Sequence, residues 1–290
     1  MSGLDISDRK QLRLYPPPPK DFDPFAASVE DLKRHGLPLR PDPQTQPGMA
    51  ALWQRLAGRY RYFEHLEPRP DTTKAARKPG RKPVTAGPFD PDPLESCGYS
   101  LTSTAAPFTA LFVTWTVPDL QFSASPFGPD QFHTFVGLGF LDAHVEMTVD
   151  SAGTVTSTLW AQGVGNINLP VGPGDVISGS LCLDIKPPGT AHYFFTNETR
   201  AQTLNFTVDT GFPPAVSINA GVTRDGWNQP DPPLARFGAV YFDDISAYTT
   251  NGSTSLTAGT AITMVAQNGT TLASPVRLTD YAFKTVFAAP

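Results

Sequence analysis

From Ser96 to the C-terminus the chain is cut into strand-length apolar runs by turn signals, with no room between them for a long helix. The runs predict strands at Phe108–Val117, Gln131–Leu138, Ala143–Val149, Thr154–Ala161, Asp175–Asp184, Ala191–Thr196, Ala201–Val208, Ala215–Thr223, Ala235–Thr249, Thr260–Ala266 and Tyr281–Phe287. Turns at Asp150-Ser151-Ala152-Gly153, Pro187-Pro188-Gly189, Asn251-Gly252 and Asn268-Gly269 separate some of them. So many short strands, read in sequence, predict an all-β fold, an antiparallel β-sandwich. Phe108–Val113 is almost continuously apolar, as in a strand buried on both faces, whereas other runs alternate. One sheet surface is therefore expected to be solvated and concave.

The clearest alternation is His144-Val145-Glu146-Met147-Thr148-Val149. Val145, Met147 and Val149 share one face of a strand, and His144, Glu146 and Thr148 share the other. The stretch Phe132–Asp184, which includes the turn Gly172-Pro173-Gly174-Asp175, is expected to supply the floor of any binding surface.

Only 17% of residues are charged, and the charge is unevenly spread. Residues 1–89 hold 16 Lys/Arg against 10 Asp/Glu, a net of +6, and residues 90–290 hold 6 against 17, a net of −11. An acidic β domain repels phosphates, so no nucleic-acid partner is expected. There are two cysteines, Cys97 and Cys182, enough for one disulfide; Cys182 lies in an apolar run and reads as a buried free thiol. The first ten residues carry no apolar signal core, and no run approaches 18 apolar residues, so the expectation is a soluble cytoplasmic protein without a membrane partner. His133, His144 and His192 have no metal-ligand spacing, and no phosphate loop or G-x-S-x-G is present, so neither a metal nor a cofactor is expected.

The N-terminal third reads differently. Pro16-Pro17-Pro18-Pro19 is an extended polyproline segment, which either docks on the chain or serves as a peptide ligand. Ser28 with Asp31 forms a partial capping box and Gly36 a stop, which predicts a helix over Ser28–His35. Met49, Leu52, Trp53 and Leu56 predict a second helix from about Pro47 to Gly58. Two such helices cannot build a core, so their apolar faces must pack on the β domain. The domain boundaries expected are an extension over 1–67, a basic Pro-rich linker over 68–95 and the sandwich over 96–290. The linker's Lys74, Arg77, Lys78, Arg81 and Lys82 read as solvated or lying on the acidic domain.

Several blocks, in order, resemble the glutamic peptidase (eqolisin) family across residues of about 100–287. Phe108–Pro118 is similar to the family's early strand ending in T-V-P, and Phe135-Val136-Gly137-Leu138 to its W-V-G-I. Gly174-Asp175-Val176-Ile177 matches G-D-x-I, Ala191–Thr199 resembles a strand and turn ending in N-x-T, and Leu234–Asp244 resembles a late F-x-x-V-x-F strand. The N-terminal proline-rich segment also resembles an extension on bacterial relatives. The resemblance implies a concanavalin A-like sandwich with a concave substrate groove. It also implies a catalytic pair: a Glu acting as general base on water and a Gln stabilising the oxyanion.

Carried over by position, Glu146 stands where the family has that Gln, and Gln162 stands where it has a further groove carboxylate. An ionised Glu146 would repel an oxyanion. The catalytic Glu falls on Asp225 when Asn219-Ala220 is the anchor, and on Thr223 when Arg224 is. Three readings follow. The chain is a degenerate member that binds or supports without efficient peptidase activity. Or it is an acid hydrolase, an endopeptidase or glycosidase, using Glu146 and Asp225 as a carboxylate pair with His144 and Gln162 nearby. Or it is a peptide- or carbohydrate-binding module using Trp160 and Trp227 as platforms.

Overall fold

The computed structural model describes residues 12–71, 92–123, 129–184, 189–224 and 233–288. The N-terminal elements are β1 (Leu12–Leu14), α1 (Val29–Arg34), α2 (Pro47–Tyr62), β2 (Glu64–His65) and β3 (Pro70–Asp71). The next are β4 (Ser96–Thr102), β5 (Phe108–Thr116), β6 (Leu120–Gln121), β7 (Asp130–Leu138), β8 (Leu141–Val149), β9 (Val155–Ala161) and β10 (Gly165–Ile167). They are followed by β11 (Val176–Leu183), β12 (Thr190–Asn197), β13 (Gln202–Asp209), β14 (Ser217–Thr223), β15 (Arg236–Phe237) and β16 (Ala239–Thr249). The last are β17 (Gly252–Thr254), β18 (Thr260–Ile262), β19 (Met264–Val265), β20 (Thr271–Arg277) and β21 (Phe283–Phe287).

These strands form two large sheets. The front sheet has the order β18-β4-β14-β7-β8-β9-β10-β3. The back sheet runs β1-β13-β12-β11-β5-β16-β21-β20-β19, with β17 on β16 and β2 on β13. The β2–β13 pair is parallel, and the other strand pairs are antiparallel. One apolar cluster fills the space between the sheets. It joins Leu111, Val113 and Trp115 of β5 to Phe132 and Val136 of β7 and to Val145 and Met147 of β8. Each such fully buried side chain contributes about 1.5–3 kcal/mol relative to exposure. The expected all-β sandwich is what the chain forms.

The N-terminal helices cover the outer face of the back sheet. Leu52 and Leu56 of α2 pack on Ala110 and Phe112 of β5 and Tyr248 of β16. Trp53, Ala57 and Tyr60 pack with Leu32, Leu37 and Phe194 of β12. That second layer explains why β5 reads as continuously apolar: Leu111, Val113 and Trp115 face the sandwich core, and Ala110 and Phe112 face the helix. Helix α1 begins at the Ser28 cap, whose Oγ accepts from the Asp31 N–H at 3.1 Å. It ends at Gly36, which turns left-handed at φ +65 while Leu37 N–H donates to Leu32 O.

Helix α2 departs from its sequence-based boundary. It runs through Gly58 to Tyr62. A helical glycine costs about 1 kcal/mol, and the added turn offsets this by burying Tyr60 to 3% exposure and placing Arg59 against Glu198. Strands β4 and β20 carry no clear sequence signal. In β4 the reason is Gly98: a Cβ there would lie 2.1 Å from the Ala220 carbonyl oxygen of β14, so close strand approach replaces side-chain patterning. The segment expected as a linker starts as structure, since Pro68 is buried and β3 pairs with β10. Its five named basic residues lie outside the described residues. The chain thus passes from the back sheet at β2 to the front sheet at β3 within a few residues, strapping one edge of the sandwich.

Both cysteines are free thiols. Burial pushes Cys97 up to about 12 and Cys182 up to about 11. Among the described residues no helix is long and apolar enough to cross a membrane.

Candidate functional site

The outer face of the front sheet is set by one hairpin. Strands β7 and β8 are joined by Gly139-Phe140, with Gly139 at φ +60, and Leu138 pairs with Leu141. That register places His133 opposite Glu146, Phe135 opposite His144 and Gly137 opposite Asp142. Along β8 burial alternates strictly: Ala143, Val145, Met147 and Val149 are buried, and Asp142, His144, Glu146 and Thr148 are half-buried on the other face.

Neighbouring strands extend this face into rows, because directly opposed residues share a side of the sheet. One row runs Thr158, Glu146, His133, Thr223, Ser96 across β9, β8, β7, β14 and β4. The next runs Trp160, His144, Phe135, Gly221, Gly98. With strands spaced about 4.8 Å apart, Glu146 and Thr223 have Cα atoms about 10 Å apart.

His144 is the centre of the second row. Its Nε2 lies 2.9 Å from Asp142 Oδ2. Its ring meets Trp160 edge-on with centroids 5.3 Å apart, and His133 at 6.1 Å. In the first row the Thr223 hydroxyl donates to Glu95 O at 2.9 Å, so its proton is committed to the backbone. Ser96 Oγ lies 3.5 Å from Thr223 Oγ1. Glu146 makes no hydrogen bond or ion pair among the described residues.

The structure therefore brings Glu146, His144, Trp160 and Thr223 onto one face. Gln162 is placed differently. It follows the end of β9, and its N–H donates to Asp142 O at 2.9 Å. That is two rows from Glu146, roughly 14 Å away at 3.4 Å per residue and one strand spacing. Glu146 and Gln162, whose types are exchanged relative to the resemblance, do not adjoin. Asp225 and Trp227 lie outside the described residues. Phe135, Asp142 and Asn219 also lie on this face, although the sequence did not name them as site residues. The signal that finds them is the Gly139-Phe140 turn, which fixes the register of every pair behind it. Among the described residues no three His, Cys, Asp or Glu side chains converge as a metal site.

Comparison with known proteins places this geometry. The model of the Peptidase A4 family matches residues 95–282. No curated protein matches the sequence. Scytalido-glutamic peptidase, solved with a peptide-based transition state analog, superposes with a TM-score of 0.53 at 15% identity, covering 67% of this chain and 98% of its own. SCP-B, a member of the eqolisin family solved with the tripeptide Ala-Ile-His, gives a TM-score of 0.53 at 15% identity over the same shares of the two chains.

Proposed function

The chain belongs to the Peptidase A4 family, the glutamic peptidases, and from that premise we propose that it is a degenerate member, a peptide-binding sandwich without efficient peptidase activity. The observation that carries the reading is the composition of β14 on the front face. Its described residues there are Ser217, Asn219, Gly221 and Thr223, none of them a carboxylate. A general base has to reach the proton it abstracts and be ionised to take it. Thr223 is neither acidic nor available, since its hydroxyl already donates to Glu95 O.

The oxyanion-stabilising role fares no better. Glu146 stands in the position of the implied Gln, and a carboxylate there opposes the negative charge that develops on the substrate oxygen. The remaining described carboxylate on this part of the face, Asp142, is taken up by His144. What the face keeps is suited to holding a ligand: an imidazole oriented by Asp142 and flanked by Trp160, with Glu146 and Thr158 alongside. The tripeptide bound to SCP-B supports a peptide as the ligand class.

The test is incubation with acid-denatured protein between about pH 2 and 7, with peptides followed by mass spectrometry. The expected result is no cleavage. Turnover that disappears in Glu146→Ala overturns the reading and returns the chain to the hydrolases, with Asp225 as the residue to substitute next.

A further inference from the structure

Carboxylates on the strands of this chain are met by donors. Among strand Asp and Glu residues with described side chains, Glu64 accepts from Gln202, Asp130 from the Ser123 N–H and Asp243 from the Asp244 N–H. Asp209 accepts from Arg13, Asp244 from Arg55, and Asp142 meets His144. Glu146 alone of this set has no hydrogen bond or ion pair with the described residues, and it sits half-buried in the middle of β8. A half-buried carboxylate gives up part of its hydration, and a cation beside it offsets that loss.

The front sheet supplies no such cation. None of its described strands contains a Lys or Arg, although they carry Asp71, Asp130, Asp142 and Glu146. Beside Glu146 stands an aromatic ring. Thr158 of β9 lies opposite Glu146, and Trp160 is the next residue of β9 on the same face, a diagonal of about 7–8 Å. Trp160 is half-buried, and among the described residues no Lys or Arg lies over its ring. A carboxylate and an indole at that spacing suit one kind of guest. An Arg or Lys side chain can pair its charge with Glu146 while its guanidinium or methylene stem lies on the indole.

We propose that Glu146 and Trp160 form a specificity seat for a basic residue, so that the ligand of the front face is a separate peptide carrying Arg or Lys. The inference rests on the peptide-binding reading above and adds to it which peptides bind. The charge of the whole β domain acts in the same sense. Residues 90–290 hold 6 Lys/Arg against 17 Asp/Glu, and a field of that sign draws a basic peptide in before contact. A neutral residue in the seat leaves Glu146 without a partner, and an acidic one sets a like charge against it, which disfavours that ligand.

The test is fluorescence anisotropy of the full chain with four pools of labelled peptides of about ten residues. The central residue is Arg, Lys, Gln or Glu, and the other positions are randomised without charged residues. The measurement is made at about pH 7.5, above the titration of an ordinary imidazole, because His133 and His144 share the face and a second cation there would repel the first. The Arg and Lys pools are expected to bind at least about tenfold more tightly than the Gln pool, with the Glu pool weakest. Glu146→Gln should bring the Arg and Gln pools within about threefold of each other. Glu146→Lys should make the Glu pool the tighter one, a reversal that misfolding cannot produce. Equal binding of the four pools overturns the basic seat and leaves the peptide-binding reading standing, as does a preference for Arg and Lys that survives Glu146→Gln. No binding by any pool overturns both. Binding seen only after Lys74, Arg77, Lys78, Arg81 and Lys82 are all replaced by Ser would give the seat to the chain's own linker and overturn the assignment to a separate peptide.

Discussion

On the outer face of the back sheet, Asn205 of β13 has every polar side-chain atom matched. Its Oδ1 accepts from the Tyr60 hydroxyl, and its Nδ2 donates to His35 O and Gly36 O at 3.0 Å each. On the outer face of the front sheet, Glu146 of β8 also sits mid-strand, yet makes no hydrogen bond or ion pair among the described residues. Both follow from the same alternation, in which successive side chains of a strand point to opposite faces of the sheet. The difference is the second layer. On the back sheet α1 and α2 meet the polar residues, and Arg59 pairs with Glu198 and Arg55 with Asp244. A polar residue outside a sheet is structural where another element answers it and a candidate for binding where none does.

The comparison breaks if the N-terminal extension is only loosely attached. Leu52 is 1% exposed at the centre of the α2–β5 contact. Leu52→Ala is expected to cost about 2–5 kcal/mol, the range for removing a buried leucine side chain. Urea unfolding followed by tryptophan fluorescence measures it. A loss below about 1 kcal/mol, or a separate early transition for the extension, would show that the helices are not part of one cooperative unit.

Much of this was legible in the sequence because it rested on local patterns. The β8 alternation, the Ser28 cap and the Gly36 stop each involve neighbours in the chain, and the structure contains them. The continuous apolar run of β5 announced burial on both faces without naming the cover. What was not legible depends on partners distant in sequence. Strand β4, with Ser96, Ser100, Thr102 and a glycine in seven residues, looks too polar to be one until β14 approaches Gly98. Helix α2 passes Gly58 because Glu198 and Asn205, well over 100 residues away, receive Arg59 and Tyr60. The site was harder still. Glu146, His144 and Trp160 were named from their strands, but that His133 faces Glu146 and that Gln162 lies two rows off follow only from the register of the hairpin.

A smaller effect sharpens the account of the back-face layer. His65 in β2 pairs with Thr203 of β13 and holds Tyr60 O through Nε2 at 2.6 Å. Burial, first among the causes, lowers its pKa below the ordinary 6.5; the Tyr60 carbonyl opposes this and His35 adds to it. A lowered value means that the unfolded chain takes up the proton first as pH falls. The stabilising contribution of the neutral ring is therefore complete above 6.5 and is lost as pH drops through the folded value. Urea midpoints measured from about pH 7.5 down to 5 should fall, and His65→Gln should flatten that slope. An unchanged slope would mean that the layer is indifferent to this ring.

The smallest expected effect is on the front face. Glu146→Gln installs the residue type that the family resemblance implies, at a half-buried position with no hydrogen bond among the described residues. Stability is expected to change by no more than about 0.5 kcal/mol, as for substitutions away from packed or paired groups. On the proposed reading peptidase activity does not appear, because restoring a donor for the oxyanion supplies no base for the water. The described face of β14 still offers only Ser217, Asn219, Gly221 and Thr223. Cleavage gained by this single change would place a working carboxylate beyond those residues and make Asp225 its first candidate. A stability loss of several kcal/mol would instead mark Glu146 as a structural residue, and the contrast with Asn205 would fall.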